Sequence, residues 1–185
     1  MKILAFAVSR RLESSNRRVL DVIAGRLRTR GIEVDLAGWD EFDMPLFDAD
    51  LHSAAGVPPG AAEFARRING ADALVIVSPE YNHGPPATLK SALEWISRLS
   101  PVPVSGKPAL LASATSSPVG GVRGLIFLRE VLASLGVWVA PHVFGVGRAG
   151  DAFTAEGELK NEKQSQDLDA MLERFIRVAT AISKV

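Results

Sequence analysis

The stretch that most restricts this chain is Ala73-Leu74-Val75-Ile76-Val77. It is short, largely β-branched, and lacks polar alternation. Such a run suits a strand covered on both faces, as in a parallel sheet. It stops at Ser78-Pro79; Glu80, Tyr81, Asn82 and His83 follow, then Gly84-Pro85-Pro86. Two prolines and a glycine end a strand and make a turn. Beyond them Leu89, Leu93 and Ile96 recur at helical spacing, with Ala92 on the same face. A buried strand, a polar loop and a helix are how open α/β sheets build ligand sites beyond the carboxyl ends of their strands. A merely solvated connection has the same pattern, and spacing alone leaves both readings open.

The rest of the chain supplies matching units. Lys2 to Val8 reads as strand one, followed by the polar loop Ser9 to Asn16. Val19, Ile23 and Leu27 mark a helix that stops at Gly31. Glu33 to Leu36 is a short second strand. Residues 39 to 60 hold Pro45, Pro58, Pro59 and many acids, a long excursion of the functional or interfacial kind. Ala61 to Ile68 is the second helix, and the opening segment supplies strand three and helix three. After a turn over Pro101 to Lys107, Ala109 to Ala114 is strand four. The loop Thr115 to Gly124 leads to a helix with Leu125, Leu128, Leu132 and Leu135. Val137 to Val143 is strand five. Glycines and a charged stretch precede a last helix with Leu168, Leu172, Phe175, Ile176, Ala179 and Ile182 on one face. Alternating strands and helices predict one parallel sheet with helices on both faces, by right-handed crossovers. No linker or repeat interrupts residues 1–185, so one domain is expected. Five strands fit the order 2-1-3-4-5, whose switch point brings the loops after strands one and three side by side.

Composition narrows the chemistry. The chain has 21 basic and 21 acidic residues, so no net charge draws it to nucleic acid or an anionic membrane. With 185 residues, 47% of them hydrophobic, it can bury a sizeable core. No apolar run approaches the roughly 18 to 20 residues of a membrane span. Met1 to Val8 is too short for a signal peptide, lacks a small-residue cleavage site, and gives way to Arg10-Arg11. The cytoplasm is the expected compartment. There is no cysteine, which excludes disulfides, thiolate metal sites and a catalytic thiol. Redox chemistry would need a bound organic cofactor. Asp43, Asp48 and Asp50 match no metal-ligand spacing, and no metal site is expected.

Three loops carry polar chemistry. Ser9-Arg10-Arg11-Leu12-Glu13-Ser14-Ser15-Asn16 offers hydroxyls, an amide, arginines and a helix start, the donors a phosphate monoester wants. A helix cap with solvated charges has the same composition, and Ser14, Ser15 or Asn16 can cap while facing an anion. Pro79 to His83 is the second loop. Tyr81, the only tyrosine, suits contact with a planar ring or a half-buried packing role. Glu80 can orient the loop or meet a partner subunit, and His83 can aid a substrate or stand in solvent. The third loop runs Ser113-Ala114-Thr115-Ser116-Ser117-Pro118-Val119-Gly120-Gly121. Its glycines allow close backbone approach to a ring, or serve as a helix-entry turn.

Ser-Pro-Glu-Tyr-Asn-His-Gly, continued by Pro-Ala-x-Leu-Lys-x-Ala-Leu-Glu-Trp, resembles the signature of NAD(P)H-dependent FMN reductases, which include quinone, azo-dye and chromate reductases. The likeness extends over the whole plan of the chain. It implies a flavodoxin-like three-layer α/β/α sandwich that binds FMN, uses NADPH or NADH as co-substrate, and passes hydride to a small-molecule acceptor. Carried over by motif, Ser9, Arg11, Ser14 and Asn16 are phosphate ligands, with Ser15 beside them. Pro79, Glu80, Tyr81 and Asn82 hold the isoalloxazine ring, and Ser113, Thr115 and Gly120 close the site. Arg10 and Arg17 have no motif counterpart and read as solvated. The chain departs from the family where Ala7 or Val8 replaces a leading glycine and Thr115 stands where glycine is common. No catalytic acid or base is required. Met44-Pro45-Leu46-Phe47-Asp48 resembles a family segment near the flavin edge and the subunit interface. Trp95, off the core stripe of helix three, and Phe127 of helix four suggest a homodimer, or a tetramer of two dimers, as in family members. Tucking of both rings against their own chain is the alternative. His52 and His142 read as structural, Trp39 and Trp138 as core or edge packing. The rival function is a non-enzymatic electron carrier like flavodoxin, whose phosphate loop lacks the arginine and whose charge is acidic.

Overall fold

The computed structural model describes residues 1–11 and 13–183. Strand β1 (Lys2–Ala7) leads to α1 (Ser15–Thr29), β2 (Glu33–Ala37), a 3-10 turn (Trp39–Phe42), α2 (Ala49–Ala55), α3 (Pro59–Asn69), β3 (Ala73–Val77) and α4 (Ala87–Ile96). Then come β4 (Pro108–Ala114), α5 (Val122–Ser134), β5 (Trp138–Val139), β6 (Phe144–Val146) and α6 (Glu162–Ile182). The sheet runs β2-β1-β3-β4-β5 with every pair parallel, and β6 also pairs with β4. The expected order and switch point are therefore present.

Side chains alternate along a strand, and the two faces gather different helices. Ile3, Ala5 and Ala7 of β1 join Val19, Ile23 and Leu27 of α1 and Leu168, Leu172 and Phe175 of α6. Leu4, Phe6 and Val8 join Phe64 of α3, Leu89 and Leu93 of α4, and Leu125 and Leu128 of α5. This is the three-layer α/β/α sandwich. Every residue of β3 and β4 is buried. Each large aliphatic side chain so enclosed contributes about 1.5–3 kcal/mol.

The expected fifth strand is split. Val139 pairs with Ala109 and Phe144 with Ala112, so residues 140–143 stand opposite only 110–111. Pro141, which has no N–H, lies in this bulge, and Arg129 donates to its carbonyl at 3.1 Å. Trp138 sits on this edge and is 65% exposed.

The excursion over 39–60 is a folded strap. Trp39 and Phe42 are buried against Phe6 and Phe64, with Phe42 and Phe64 centroids 4.8 Å apart. Arg67 of α3 binds both oxygens of Asp35 on β2 (2.9 and 2.6 Å) and Glu41 in the 3-10 turn (2.9 Å). Asp48 caps α2 by accepting from the N–H groups of Asp50 and Leu51. Trp95 overturns the expectation of exposure. It is completely buried, donates from Nε1 to the Pro45 carbonyl at 2.9 Å, and meets the rings of Phe47 and His52. Ser91 of α4 also accepts from the Phe47 N–H at 2.7 Å. The strap thus covers α4, and Trp95 offers nothing to a second subunit. Phe127 remains 59% exposed beside Ile126.

The strap leaves no room at Gly60, in the first turn of α3. A Cβ there would come within 1.9 Å of the Asp43 carbonyl oxygen. Helix propensity alone favours alanine over glycine by about 1 kcal/mol. The contact should win: Gly60→Ala is expected to lower unfolding free energy by about 1–3 kcal/mol in a urea titration. A stabilised variant would show that the strap is not packed on α3.

Candidate functional site

The site is assembled where three central strands end. Val8 N–H donates to the Val77 carbonyl at 2.9 Å, and Ser78 N–H donates to Ala112 at 2.8 Å. The loops after β1, β3 and β4 therefore leave the sheet side by side.

The first loop prepares an anion cradle. Ser14 occupies the N-cap of α1, yet its hydroxyl makes no capping bond, and no acid stands in the first turn. Ser9 and Ser14 are buried at the base of the loop. Ser9 Oγ accepts from the Arg11 N–H at 3.3 Å. The three arginines here divide by partner. Arg10 pairs with Asp43, and Arg17 donates to the Ser9 carbonyl at 3.2 Å while approaching Asp40 at 3.5 Å. Both are thus fastened rather than merely solvated. Arg11 is exposed and has no ion-pair partner among the described residues. The result is an unshielded helix N-terminus, free hydroxyls and one unspent guanidinium, a donor set for a doubly charged anion.

Asn16 has another task. Its Nδ2 donates to the Ala114 carbonyl at 3.0 Å, and its Oδ1 accepts the Ala114 N–H at 2.9 Å. This side chain is a buried clamp that fastens α1 to the end of β4. Sequence reasoning missed it, because an asparagine at a helix start reads equally as cap or ligand.

In the second loop, Tyr81 N–H donates to Gly84 O at 2.9 Å and Gly84 N–H returns to Tyr81 O at 3.0 Å. Between them Asn82 and His83 have φ of 49° and 66°. Positive φ at both central positions makes a tight I′-type turn, and Asn and His tolerate that region better than most residues. The turn is pinned to α5 through Glu80 and touches it again at His83. Glu80 Oε2 accepts from the Gly124 N–H at 2.8 Å, and Arg123 Nη1 lies 3.1 Å from His83 Nε2. Glu80 is therefore a loop-orienting residue. Tyr81 stays 59% exposed, its ring available as a wall, while Pro79 is buried beneath.

The third loop is braced by its own chain. Thr115 N–H donates to Val146 O at 3.0 Å, and Ala149 N–H donates to Thr115 O at 3.0 Å. Gly120 has φ 68°, and a Cβ there would meet the backbone of residues 145–147 at 2.8–2.9 Å. Its close approach is to β6, not to a ligand. At Gly121 a Cβ would lie 2.1 Å from Ser113 Oγ. Ser113 itself is wholly enclosed, and its hydroxyl has no hydrogen-bond partner. The expected set thus separates. Arg11, Tyr81 and Asn82 are exposed and Ser15 is half-buried; Ser9, Ser14, Pro79, Ser113 and Gly120 are buried; and Asn16, Glu80 and Thr115 bond to the chain's own backbone.

Comparison with known proteins bears on these loops. The family model described as NADPH-dependent FMN reductase matches residues 1–151. An NAD(P)H-dependent FMN reductase of Pseudomonas aeruginosa is 34% identical over 175 residues, covering 94% of this chain and 92% of that one. A quinone reductase of Escherichia coli is 41% identical over 97 residues, 52% of each chain. Among solved structures, an NAD(P)H:acceptor oxidoreductase flavoenzyme from Paracoccus denitrificans superposes with a TM-score of 0.83 at 23% identity, covering 97% of both chains. Oxidised flavodoxin 1 of Bacillus cereus gives 0.61 at 16% identity, covering 96% of this chain and 98% of that one; it shows shared fold alone.

The clamp makes a prediction. Asn16→Ala strands two buried backbone groups of Ala114, each costing about 1–3 kcal/mol. The ligand-free protein should lose about 2–4 kcal/mol of unfolding free energy in chemical denaturation. Unchanged stability with weakened anion binding would instead make Asn16 a direct ligand.

Proposed function

The chain belongs to the NADPH-dependent FMN reductase family, and from that premise we infer an FMN-dependent oxidoreductase that takes hydride from NAD(P)H and delivers it to a small acceptor. The observation that carries the reading is the first loop: an uncapped α1 N-terminus, the Ser9 and Ser14 hydroxyls, and Arg11 as the loop's one arginine without a carboxylate partner among the described residues. Those residues fit the phosphate of FMN. The exposed Tyr81 ring and the rigid turn behind it suit the flat isoalloxazine.

FMN, when bound, supplies the hydride-accepting and hydride-donating ring. The chain supplies position. Ser9, Arg11, Ser14 and Ser15 hold the phosphate end. Tyr81 and Asn82 bound the ring, and Glu80 keeps their turn against α5 through Gly124 N–H. Asn16 keeps the phosphate loop in register with β4. No side-chain acid or base is required for the transfer, so rate depends on how closely donor and acceptor are held. Quinones are the acceptor class favoured by the relatives' names. A cytoplasmic homodimer is part of the proposal. Its support is the exposed Ile126 and Phe127 on α5, with Leu46 and Leu51 on the strap. Among the described residues no helix is long and apolar enough to cross a membrane.

Two measurements test this. Purified protein titrated with micromolar FMN should acquire oxidised-flavin absorption, and Arg11→Ala should weaken FMN about ten- to a hundredfold while leaving riboflavin nearly unaffected. Equal loss for both ligands would remove Arg11 from the phosphate. Anaerobic NAD(P)H should then bleach the flavin without a partner reductase; failure to do so would favour an electron carrier.

A further inference from the structure

Arg123 is a second cation on the rim of this cleft that the reading above does not use. It lies in the first turn of α5, is exposed, and has no ion-pair partner among the described residues. Its neighbours differ in that respect, since Asp43 and Asp40 take Arg10 and Arg17. Its contact is Nη1 to His83 Nε2 at 3.1 Å. A guanidinium only donates, so His83 Nε2 is the acceptor in this contact. One of five N–H donors is spent this way, and the rest of the fork is available.

The placement is costly to maintain. His83 and Asn82 both hold positive φ, a backbone region that residues other than glycine adopt only when their surroundings enforce it. The same turn presents Tyr81 to the cleft two residues earlier. Arg123 is thus steered by a residue of the turn that bounds the ring. Gly124, the next residue, tolerates no side chain: a Cβ would meet Glu80 at 3.1 Å and the Gly84 carbonyl at 3.2 Å. The start of α5 is therefore pressed against the turn, and Arg123 is fixed relative to Tyr81.

We propose that Arg123, steered by His83, binds a phosphate of the nicotinamide dinucleotide that delivers the hydride. The proposal rests on the FMN reductase reading. A dinucleotide whose nicotinamide enters beside Tyr81 carries its phosphates out over the rim. Arg10 and Arg17 are paired with Asp43 and Asp40, and Arg11 serves the flavin phosphate. Arg123, beside the turn that carries Tyr81, has a free fork, the geometry that phosphate oxygens accept bidentately. His83 is a positioning residue, not a ligand.

The test uses FMN-loaded protein and three hydride donors: NADPH, NADH, and 1-benzyl-1,4-dihydronicotinamide, which has no phosphate. Equilibrium titration with NADP+ and NAD+ by calorimetry runs alongside. Arg123→Ala should raise the apparent dissociation constants of the dinucleotides about ten- to a hundredfold. The limiting rate of flavin reduction, FMN affinity, and reduction by the benzyl compound should keep their wild-type values. A larger loss for NADPH than NADH assigns the 2′-phosphate, and equal loss assigns the pyrophosphate; either supports the proposal. Arg123→Lys should recover only part of the affinity. His83→Ala should show a smaller loss that His83→Gln, which keeps an acceptor, restores. Unchanged dinucleotide binding in Arg123→Ala overturns the proposal. So does parallel loss with the benzyl compound, which would mean that Arg123 only shapes the turn. The calorimetric arm needs no turnover. A protein that binds NADP+ through Arg123 but is not reduced by NADPH would sink the oxidoreductase reading and keep this one. A wild type that binds neither dinucleotide overturns both.

Discussion

The ladder joining β1, β3 and β4 leaves no side of these strands open to water; β3 and β4 are buried residue by residue. Such strands take almost only apolar side chains on both faces, Ser113 being the polar residue within β3 and β4. Polar chemistry is thereby driven to their carboxyl ends, where backbone groups run out of sheet partners. Each end solves that problem differently. Val8 and Ser78 extend the ladders by one more bond each. Ala114 is satisfied by a side chain instead, the amide of Asn16 arriving from α1. This exchange brings the start of α1 against β4 and sets the position of the loop after β1. The cleft is a consequence of how the sheet finishes.

The strap over 39–55 depends on the same sheet. Trp39 and Phe42 fill the face of β1 around Phe6, and Arg67 ties β2, the 3-10 turn and α3 with bonds to two carboxylates. Arg67 is only 13% exposed, so its paired carboxylates offset a real desolvation cost. From there the chain reaches α4 and closes over Trp95. The strap also sends Asp40 and Asp43 back toward the first loop, where they neutralise Arg17 and Arg10. Core packing and site electrostatics are thus joined. The segment that buries Trp95 also decides which arginines stay available.

Strands and helices were readable because apolar runs and spacing report directly on burial. Leu89, Leu93 and Ile96, or Leu168 and Leu172, can only face the sheet. The order 2-1-3-4-5 is compatible with that pattern and the crossover rule, and it is the flavodoxin-like order that the resemblance implies. What failed was whatever depends on contacts distant in sequence. Trp95 stands off the stripe of its own helix, and a helical wheel cannot see Pro45 arriving from 50 residues upstream. Asn16 was read as a ligand because its partner is 98 residues away. Gly120 and Gly121 were read as room for a ring, when the room belongs to β6 and to Ser113. The break in strand five had a local signal in Pro141, whose meaning lay in a register shift against β4.

The division between spent and unspent donors gives the site its logic. Asn16, Glu80 and Arg17 satisfy the chain's own backbone and are consumed by it. Their geometry is fixed before any ligand arrives, which keeps the ordering cost out of binding. Arg11 and Arg123 are exposed with donor capacity left over, and the buried Ser14 hydroxyl makes no capping bond. The turn at Asn82 and His83 carries the argument furthest. Two residues held at positive φ store free energy that the surrounding contacts must supply. The Glu80–Gly124 bond, with Gly124 packed against Glu80 and the Gly84 carbonyl, supplies it from the start of α5. A softer turn would let Tyr81 drift, and with it the spacing on which hydride transfer depends, because small errors in the position of reacting groups cost rate steeply.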